Sequence, residues 1–336
     1  MKDKILIINT GGTIGMVGNP LRPAYNWQEI TAEHPVLKQF PTDYYQFETL
    51  IDSSDANPSF WLNLAEVIKK NYDKYIGFVI LHGTDTMAYT GSMLSYMFKN
   101  LAKPVILTGA QSPLVYPRSD GLQNLINSIY IAGHKLFNIS LVPEVCICFR
   151  DTLLRANRSK KTDSNNYYGF SSPNYLPLAE LASEIKIIHN RILPLPNENF
   201  YLDKSLNSNV IMLELFPGMN PKYLREFFKI DSDIEALILK TYGSGNTPTD
   251  SYFIDSLKSI AEQGIPILDV TQCVSGSVKM PLYESTDTLS KMGVISGSDI
   301  TSEAAITKMM YLLGKKLSLE EIKKAFKLSI CGEQTV

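Results

Sequence analysis

The chain contains short apolar runs that end at glycine and are followed at once by polar residues. The first run, residues 4–9, is β-branched and nearly continuous, and residues 76–81 repeat the pattern. Such runs are typical of strands buried on both faces of a parallel sheet. The pattern therefore predicts an α/β fold, in which the polar residues after each strand meet at the carboxyl edge of the sheet, where ligands bind.

The apolar periodicities divide the chain into two series of strands and helices. Residues 175–208, between the series, carry three prolines and little periodicity, which is typical of a connection. In the first series, further strands are predicted at 47–51, 105–107 and 145–149, with helices after Asn57, after Asp85 and over 118–134. In the second series, strands are predicted at 209–216, 236–240 and 266–270, with helices near 302–314 and 318–328.

A length of 336 residues is long for one core and favours two domains. The predicted organisation is an amino-terminal catalytic α/β domain over 1–190, a linker over 191–208 and a carboxyl-terminal α/β domain over 209–336. Each domain is expected to contain a largely parallel sheet flanked by helices. Residues 16–46 mix proline, glycine, polar and aromatic residues, which is typical of an active-site lid.

Hydroxyl and carboxyl side chains follow the first two buried strands. The first strand ends at Thr10-Gly11-Gly12-Thr13, which lacks the glycine spacings of dinucleotide and phosphate loops. Thr13 can act as a nucleophile if a partner activates it, and a simple tight turn is the alternative. The second strand ends at His82-Gly83-Thr84-Asp85-Thr86, where a hydroxyl beside a carboxylate can relay protons or cap the next helix.

Two further turns are predicted at the same edge of the sheet. Asp52-Ser53-Ser54 follows the strand at 47–51, and its side chains suit either ligand binding or the capping of a loop. The turn after the strand at 105–107 contains Ala110, and its backbone groups can contact the side chain of a substrate.

The turns resemble the signatures of bacterial-type L-asparaginases, most closely the cytoplasmic type I branch. The two signature segments are Thr10-Gly11-Gly12-Thr13-Ile14-Gly15 and His82-Gly83-Thr84-Asp85-Thr86. Five further segments agree in the family's order along nearly the whole chain: Leu50-Ile51-Asp52-Ser53-Ser54-Asp55, Pro104-Val105-Ile106-Leu107-Thr108-Gly109, Arg118-Ser119-Asp120-Gly121, Asn157-Arg158-Ser159-Lys160-Lys161 and Thr271-Gln272-Cys273-Val274-Ser275-Gly276. The resemblance implies the asparaginase/glutaminase-like two-domain fold. It also implies hydrolysis of L-asparagine to L-aspartate and ammonia through a β-aspartyl ester.

The resemblance assigns the catalytic roles. Thr13 is the nucleophile, with Thr84 as the alternative attacking hydroxyl. Thr84, Asp85 and Lys161 form the supporting relay. Lys161 takes the lysine position in preference to Lys160, because residues 170–174 then fall at the family's distance.

The resemblance also implies the substrate contacts. The α-amino and α-carboxylate groups are bound by Asp52, Ser53 and Ser54. Thr84, Asp85 and Ala110 complete the substrate site. Tyr25 is the candidate lid tyrosine that assists Thr13, and an ordinary aromatic residue of the lid is the alternative. No metal or organic cofactor is needed by this chemistry.

Allosteric members of the type I branch bind a second asparagine at positions that correspond here to Lys240, Cys273 and Lys160. Cys273 fits that pattern. A lysine at position 240 lacks the planar fork with which arginine grips a carboxylate, and Lys160 replaces a small hydroxyl residue. Effector binding is therefore expected to be weak or absent.

Composition and terminal sequence pattern bear on the partners and the cellular compartment to be expected. A net charge of −2 gives no reason to expect nucleic-acid or membrane partners. Residues 1–4 lead into the first strand without a signal-peptide pattern, and the four cysteines form no disulfide or metal pattern. Cys146 and Cys148 are expected to be buried thiols. These features favour the cytoplasm, and the family favours a homodimer or a homotetramer built as a dimer of dimers.

Three other functions remain to be weighed against asparagine hydrolysis. A glutaminase-asparaginase of mixed specificity shares every catalytic residue, because the substrates differ by one methylene. The related tRNA-dependent amidotransferase subunit carries an extra amino-terminal domain, which is not expected here because the first strand begins at Lys4. A non-catalytic amino-acid sensor on the same scaffold would not need the intact relay of Thr13, Thr84, Asp85 and Lys161.

Overall fold

The protein is described here by a computed structural model, which covers residues 3–23, 26–229, 233–282 and 284–335. The chain divides into two compact units, Met1–Lys204 and Ser205–Val336. The two-domain α/β fold that the sequence predicts is confirmed. The narrower assignment of 191–208 as a linker remains a prediction.

The first unit contains an eight-stranded, mostly parallel sheet with helices against it. Its strands are β1 (Ile5–Gly11), β2 (Met16–Val17), β3 (Arg22–Pro23), β4 (Thr42–Ile51), β5 (Gly77–Leu81), β6 (Phe98–Lys99), β7 (Val105–Thr108), β8 (Val145–Phe149), β9 (Thr152–Arg155), β10 (Lys160–Lys161), β11 (Phe170–Ser171), β12 (Ala179–Leu181), β13 (Ile185–Ile187) and β14 (Tyr201–Leu202). Its helices are α1 (Trp27–Glu33), α2 (Pro58–Asn71), α3 (Met87–Met97) and α4 (Gly121–Ala132).

The order of the strands in the large sheet is β13-β12-β9-β8-β7-β5-β1-β4. The strands β4, β1, β5, β7 and β8 are parallel, whereas β9, β12 and β13 are antiparallel. The remaining strands of this unit form the two-stranded pairs β2-β3, β6-β14 and β10-β11. Every residue of β1 and β5 is buried, as the continuous apolar runs predict. Because β1 lies between β5 and β4, the turns that follow these three strands meet at one edge.

The helices follow local sequence signals. Asn57 caps α2 through its side chain, which accepts a hydrogen bond from the backbone of Phe60, and Pro58 occupies the first helical position. The predicted strand that contains Cys146 and Cys148 is β8, and both thiols are buried at 0% exposure. Burial raises the pKa of the Cys148 thiol to about 12 and that of Cys146 well above its usual value. Both residues therefore pack as apolar groups of the core.

The second unit has a parallel four-stranded sheet in the order β15-β16-β17-β18. Its elements are β15 (Val210–Glu214), α5 (Lys222–Phe227), β16 (Ala236–Thr241), α6 (Ser251–Glu262), β17 (Ile267–Thr271), α7 (Glu284–Lys291), β18 (Ile295–Ser296), α8 (Ser302–Gly314) and α9 (Leu319–Phe326). The capped starts of α8 at Thr301 and α9 at Ser318 agree with the predicted terminal helices.

Short strands occur where the sequence indicates only loops. Residues 157–163 contain β10, which pairs with β11, and residues 175–208 contain β12, β13 and β14. Each of these strands is two or three residues long, so it carries too few positions for an alternating pattern to be visible. β12 and β13 pair with each other, and β12 and β14 also pair with β9 and β6, which lie earlier in the chain.

Candidate active site

The turns after β1, β5 and β4 are packed so closely that two glycines are required. A Cβ on Gly12, whose φ is +84°, would lie 2.2 Å from the backbone nitrogen of Gly83. A Cβ on Gly83 would lie 2.5 Å from the Ser53 hydroxyl oxygen. These close approaches bring the predicted nucleophile turn, the Thr84-Asp85 turn and the Asp52-Ser53-Ser54 turn to one place.

Thr13 begins the 3₁₀ turn Thr13–Gly15 and is partly exposed. Within the described part of the chain, its hydroxyl has no hydrogen-bond partner. The turn is fixed below it, because the Thr10 hydroxyl donates to the carbonyl oxygen of Leu81 at 2.8 Å. The side-chain oxygen of Asn9 accepts from the backbone N–H of Gly11 at 3.0 Å. Thr13 therefore presents, from an anchored backbone, a hydroxyl that none of the described residues binds.

Lys161 connects the two polar residues that follow β5. Its Nζ donates to Thr84 Oγ1 and to Asp85 Oδ1, and both distances are 2.7 Å. The Thr84 residue is 5% exposed, whereas the Asp85 side chain is 63% exposed. The result is a hydrogen-bonded group of three residues that begins inside the protein and ends at solvent.

The alternative that Asp85 or Thr86 caps α3 is wrong. Thr86 occupies the N-cap position but makes no side-chain capping bond. Its hydroxyl instead donates to the carbonyl oxygen of Ser53 at 2.7 Å, which joins this turn to the turn after β4. Asp85 binds Lys161, so the polar residues of this turn serve tertiary contacts.

The turn after β4 organises its own side chains. Asp52 Oδ1 accepts from the backbone N–H and from the hydroxyl of Ser54, both at 3.0 Å. Ser53 is buried, and Asp52 caps a 3₁₀ helix at Ser53–Asp55. The structure therefore shows the capping contacts of this turn, while its contacts with the α-amino and α-carboxylate groups remain a prediction.

The turn that contains Ala110 is held by Asp120, which directly precedes α4, and by Asn124 of α4. The Asp120 carboxylate accepts from the backbone N–H groups of Gln111 and Ser112. Asn124 Nδ2 donates to the carbonyl oxygen of Gly109 and to Asp120 Oδ2, both at 3.0 Å. Ala110 is fully buried. Asp120 belongs to a family segment, but its carboxylate contacts could not be inferred from the sequence.

His82 is buried just before the Thr84-Asp85 turn. Its Nδ1 lies 2.6 Å from the carbonyl oxygen of Gly83, and its Nε2 lies 3.0 Å from the hydroxyl of Thr90, which accepts from Trp61 Nε1. Because a carbonyl can only accept, these partners assign the proton to Nδ1. Burial lowers the pKa of His82 to about 4, so the ring is neutral near pH 7.

The remaining predicted site residues are placed as follows. Tyr25 lies outside the described residues. Lys160 precedes Lys161 in β10 and pairs with Ser171. Within the second unit, Lys240 Nζ lies 2.6 Å from Glu214 Oε2, and Cys273 is exposed. The ammonium that would grip an effector carboxylate is therefore already paired with a carboxylate of its own chain.

Two other kinds of site are absent from the described residues. None of their histidine, cysteine, aspartate and glutamate side chains form a group of three or more that could hold a metal ion. None of their helices has the length and apolar character that crossing a membrane requires.

Comparison with known proteins gives agreement over the whole chain. Two family models match it. The model described as "Asparaginase, N-terminal" matches residues 4–193, and the model described as "Glutaminase/Asparaginase C-terminal domain" matches residues 209–326. The chain is 38% identical over 344 aligned positions to L-asparaginase 1 of Escherichia coli (strain K12), with 99% of this chain and 98% of that protein covered. Its structure is similar to L-asparaginase I from Vibrio cholerae, with a TM-score of 0.91, 38% identity and 100% of both chains covered. It is also similar to the thermostable L-asparaginase from Thermococcus kodakarensis, with a TM-score of 0.89, 31% identity and 99% of both chains covered.

Proposed function

The chain belongs to the asparaginase family and is an L-asparagine amidohydrolase, and we propose that it works through an ester on Thr13. One observation carries the catalytic part of this proposal. The Lys161 ammonium lies 2.7 Å from both the Thr84 hydroxyl and the Asp85 carboxylate. A sensor that only binds an amino acid would not need such a relay beside a threonine hydroxyl that the described residues leave unbound.

In the proposed first step, the Thr13 hydroxyl oxygen attacks the side-chain amide carbon of L-asparagine. A C–O bond forms, the hydroxyl proton passes to the relay, and backbone N–H groups near Thr13 and Thr84 stabilise the oxyanion. The C–N bond then breaks, the leaving nitrogen takes up a proton, and ammonia departs. The unpartnered, partly exposed hydroxyl of Thr13 supports this role, because no bond to the described residues must be broken before attack.

The proton that the relay took from Thr13 leaves with the ammonia. In the second step, water attacks the β-aspartyl ester and the ester C–O bond breaks. One proton of the water passes to Thr13, and the new carboxyl group of L-aspartate ionises. The ammonium of Lys161 beside Thr84 favours negative charge on the threonine oxygen, so Thr84 Oγ1 is the proposed atom that takes up and releases the protons of both steps. The same contact favours a second assignment, in which Thr84 is the attacking hydroxyl and Thr13 is auxiliary.

We propose that Asp52, Ser53 and Ser54 bind the α-amino and α-carboxylate groups, with Asp85 and the Ala110 turn completing the site. The joined turns after β4 and β5 support this placement. The extra methylene of glutamine is worth only about 1–3 kcal/mol in a pocket, so mixed glutaminase-asparaginase specificity remains the alternative.

We also propose that the protein acts in the cytoplasm as a homodimer or as a dimer of dimers. The resemblance to the cytoplasmic type I branch supports both statements. The four cysteines are free, as expected in a reducing compartment. In the first unit, Leu176 is 63% exposed and Leu195 is 57% exposed, which suits burial against another subunit. Light scattering coupled to size exclusion measures the assembly directly.

Ammonia release over a range of L-asparagine concentrations tests the proposed function. We expect turnover by the wild-type protein, a hyperbolic curve, and loss of at least about 100-fold in kcat for Thr13→Ala, because removal of a nucleophile removes the acyl step. L-Glutamine measured in parallel sets the specificity, and circular dichroism checks the fold of the variant. Asparagine binding without ammonia release would favour the sensor, and full activity of Thr13→Ala would exclude Thr13 as the nucleophile.

A further inference from the structure

Gln111 connects the turn after β7 to the hairpin that carries Lys161. Its side-chain Nε2 donates to the carbonyl oxygens of Asp163 and Asn166, at 3.1 and 2.9 Å. Both acceptors lie in the loop 162–169, which joins β10 to β11 directly after Lys161. One amide group therefore holds this loop at two points.

Gly169 provides the space that the Gln111 amide occupies. A Cβ at position 169 would lie 2.7 Å from Gln111 Nε2. The backbone of Gly169 is outside the left-handed region, so its conformation is open to any residue. Its carbonyl oxygen accepts from the backbone N–H groups of Thr162 and Asp163, at 2.9 and 3.3 Å, and closes the loop. Steric room for Gln111 is therefore the reason for glycine at this position.

The other end of Gln111 is anchored to the substrate side of the site. Its backbone N–H donates to both carboxylate oxygens of Asp120, at 3.0 and 3.2 Å. Asn124 holds Asp120 and the carbonyl oxygen of Gly109, so the turn around Ala110 is fixed to α4 independently of the Gln111 side chain.

We propose that Gln111 is a positioning residue that couples the Ala110 turn to Lys161. The inference rests on the proposed role of Lys161 in the relay. The strands of the Lys161 hairpin are short, with ladder pairs at Lys160–Ser171 and Lys161–Phe170. Besides Gln111, its loop is held by the Tyr167 hydroxyl, which donates to the carbonyl oxygen of Arg118, and by the Tyr168 hydroxyl, which donates to Asp151 Oδ2. Without the two hydrogen bonds from Gln111 Nε2, the Lys161 ammonium leaves its contacts with Thr84 and Asp85 for part of the time.

This coupling predicts that loss of the Gln111 side-chain donors lowers kcat and leaves the KM for asparagine almost unchanged. Gln111→Met keeps the length of the side chain and removes both donors. We expect kcat to fall about tenfold, because displacements below 1 Å are costly at a catalytic group. We expect the KM for asparagine to stay within about twofold, because Asp120 and Asn124 still hold the Ala110 turn. The matched control is Gln123→Met, which should leave kcat and KM unchanged. Gln123 lies on α4, and among the described residues its side chain donates only to Asn127.

A double-mutant cycle with Gly169 separates this coupling from a general loss of structure. Gly169→Ala places a methyl group against the Gln111 amide and should lower kcat by a similar factor. In a Gln111→Ala background the same substitution meets no amide, so the added loss should stay below about 1.5-fold. Hydrogen exchange of residues 162–169, followed by mass spectrometry, should be faster in Gln111→Met and in Gly169→Ala.

The outcomes distinguish this inference from the proposed function. Wild-type kcat in Gln111→Met, or an equal cost of Gly169→Ala in both backgrounds, overturns the coupling. Faster exchange of the loop with unchanged kcat also overturns it, because the loop would then move without disturbing catalysis. Failure of the proposed function is seen elsewhere, as retained activity in Thr13→Ala and Lys161→Met. The exchange measurement reports on the two hydrogen bonds from Gln111 Nε2 in either case.

Discussion

The ammonium of Lys161 lies 2.7 Å from the hydroxyl of Thr84, although 77 positions separate the two residues along the chain. Thr84 is placed by the turn after β5, in the middle of the large sheet. Lys161 is placed by the two-residue strand β10. Asp85 completes the group at the same distance from the ammonium. The proposed relay therefore depends on the meeting of a central strand of the sheet and a short peripheral hairpin.

Replacement of Lys161 by Met should lower kcat by about 10²–10⁴-fold, which is the usual contribution of a positioned proton-transfer group. The substitution removes both 2.7 Å contacts, while Thr13 stays in place. Steady-state kinetics with L-asparagine checks this result. Lys160→Met is the matched control from the neighbouring position and should retain kcat within about threefold. A larger loss in Lys160→Met than in Lys161→Met would move the catalytic role to Lys160.

Gly12→Ala should destabilise the protein by more than the cost of placing alanine at a positive φ. The new Cβ would lie 2.2 Å from the Gly83 nitrogen, at a φ of +84°. Gly264→Ala is the matched control, since Gly264 has a φ of +78° and open space around it. We expect losses in the free energy of unfolding of about 2–5 kcal/mol for Gly12→Ala and about 1–2 kcal/mol for Gly264→Ala. Equal losses in denaturant titrations would show that the turns do not require this close approach.

The buried neutral ring of His82 should make stability depend on pH in acid. The pKa of His82 is about 4 in the folded protein, against a usual value of 6.5. Between these values the unfolded chain holds a proton that the folded protein lacks, so the free energy of unfolding rises with pH and the gain is complete above pH 6.5. The contribution is about 3 kcal/mol, at about 1.4 kcal/mol per pKa unit.

His82→Asn tests this dependence, because asparagine offers an N–H near the position of Nδ1 and does not titrate. Denaturant titrations at pH 4.5 and pH 7 should show a smaller difference between the two pH values in the variant than in the wild-type protein. The same pH difference in both proteins would mean that His82 is protonated equally in the folded and unfolded states.

The buried carboxyl of Asp269 should change the free energy of unfolding with pH in the direction opposite to His82. This carboxyl is buried in the second unit, and Oδ1 accepts from the Thr241 hydroxyl at 2.6 Å, while Oδ2 has no partner among the described residues. Burial raises the pKa of Asp269 to about 8. Between about pH 4 and pH 8 the folded protein keeps a proton that the unfolded chain releases, so the free energy of unfolding falls as the pH rises.

Asp269→Asn imitates the protonated carboxyl and should be more stable than the wild-type protein at pH 8, by an amount on the order of 3 kcal/mol. The advantage should shrink toward pH 4, where the wild-type carboxyl is protonated in both states. Thermal unfolding across this range is the measurement. A difference that does not change with pH would contradict a raised pKa at Asp269.

The sequence was sufficient to predict the central strands and the turns that carry Thr13 and Thr84. The apolar runs of β1 and β5 are continuous, and they end at glycine-bearing turns whose residue types are specific. The short paired strands β10 and β11, which place Lys161, could not be predicted in this way. Two residues carry no periodic signal, so local patterns do not predict β10, and only the family spacing indicates Lys161.

The supporting contacts were also beyond local patterns. Gln111 binds carbonyl oxygens 52 and 55 positions away, and the hydroxyl of Thr86 binds a carbonyl oxygen 33 positions away. Amide and hydroxyl side chains are common in turns, and nothing in their spacing states which backbone group they will reach. Their partners are determined only when distant segments of the chain pack together.

The identity of the nucleophile is the central claim, and covalent labelling tests it most directly. An asparagine analogue in which a diazoketone replaces the side-chain amide would be bound as substrate and would alkylate the attacking hydroxyl. Peptide mass spectrometry then locates the adduct. We predict that the adduct forms on Thr13 and is absent in Thr13→Ala, while Lys161→Met labels more slowly at the same residue. An adduct on Thr84 in the wild-type protein would contradict the account and assign the attack to Thr84.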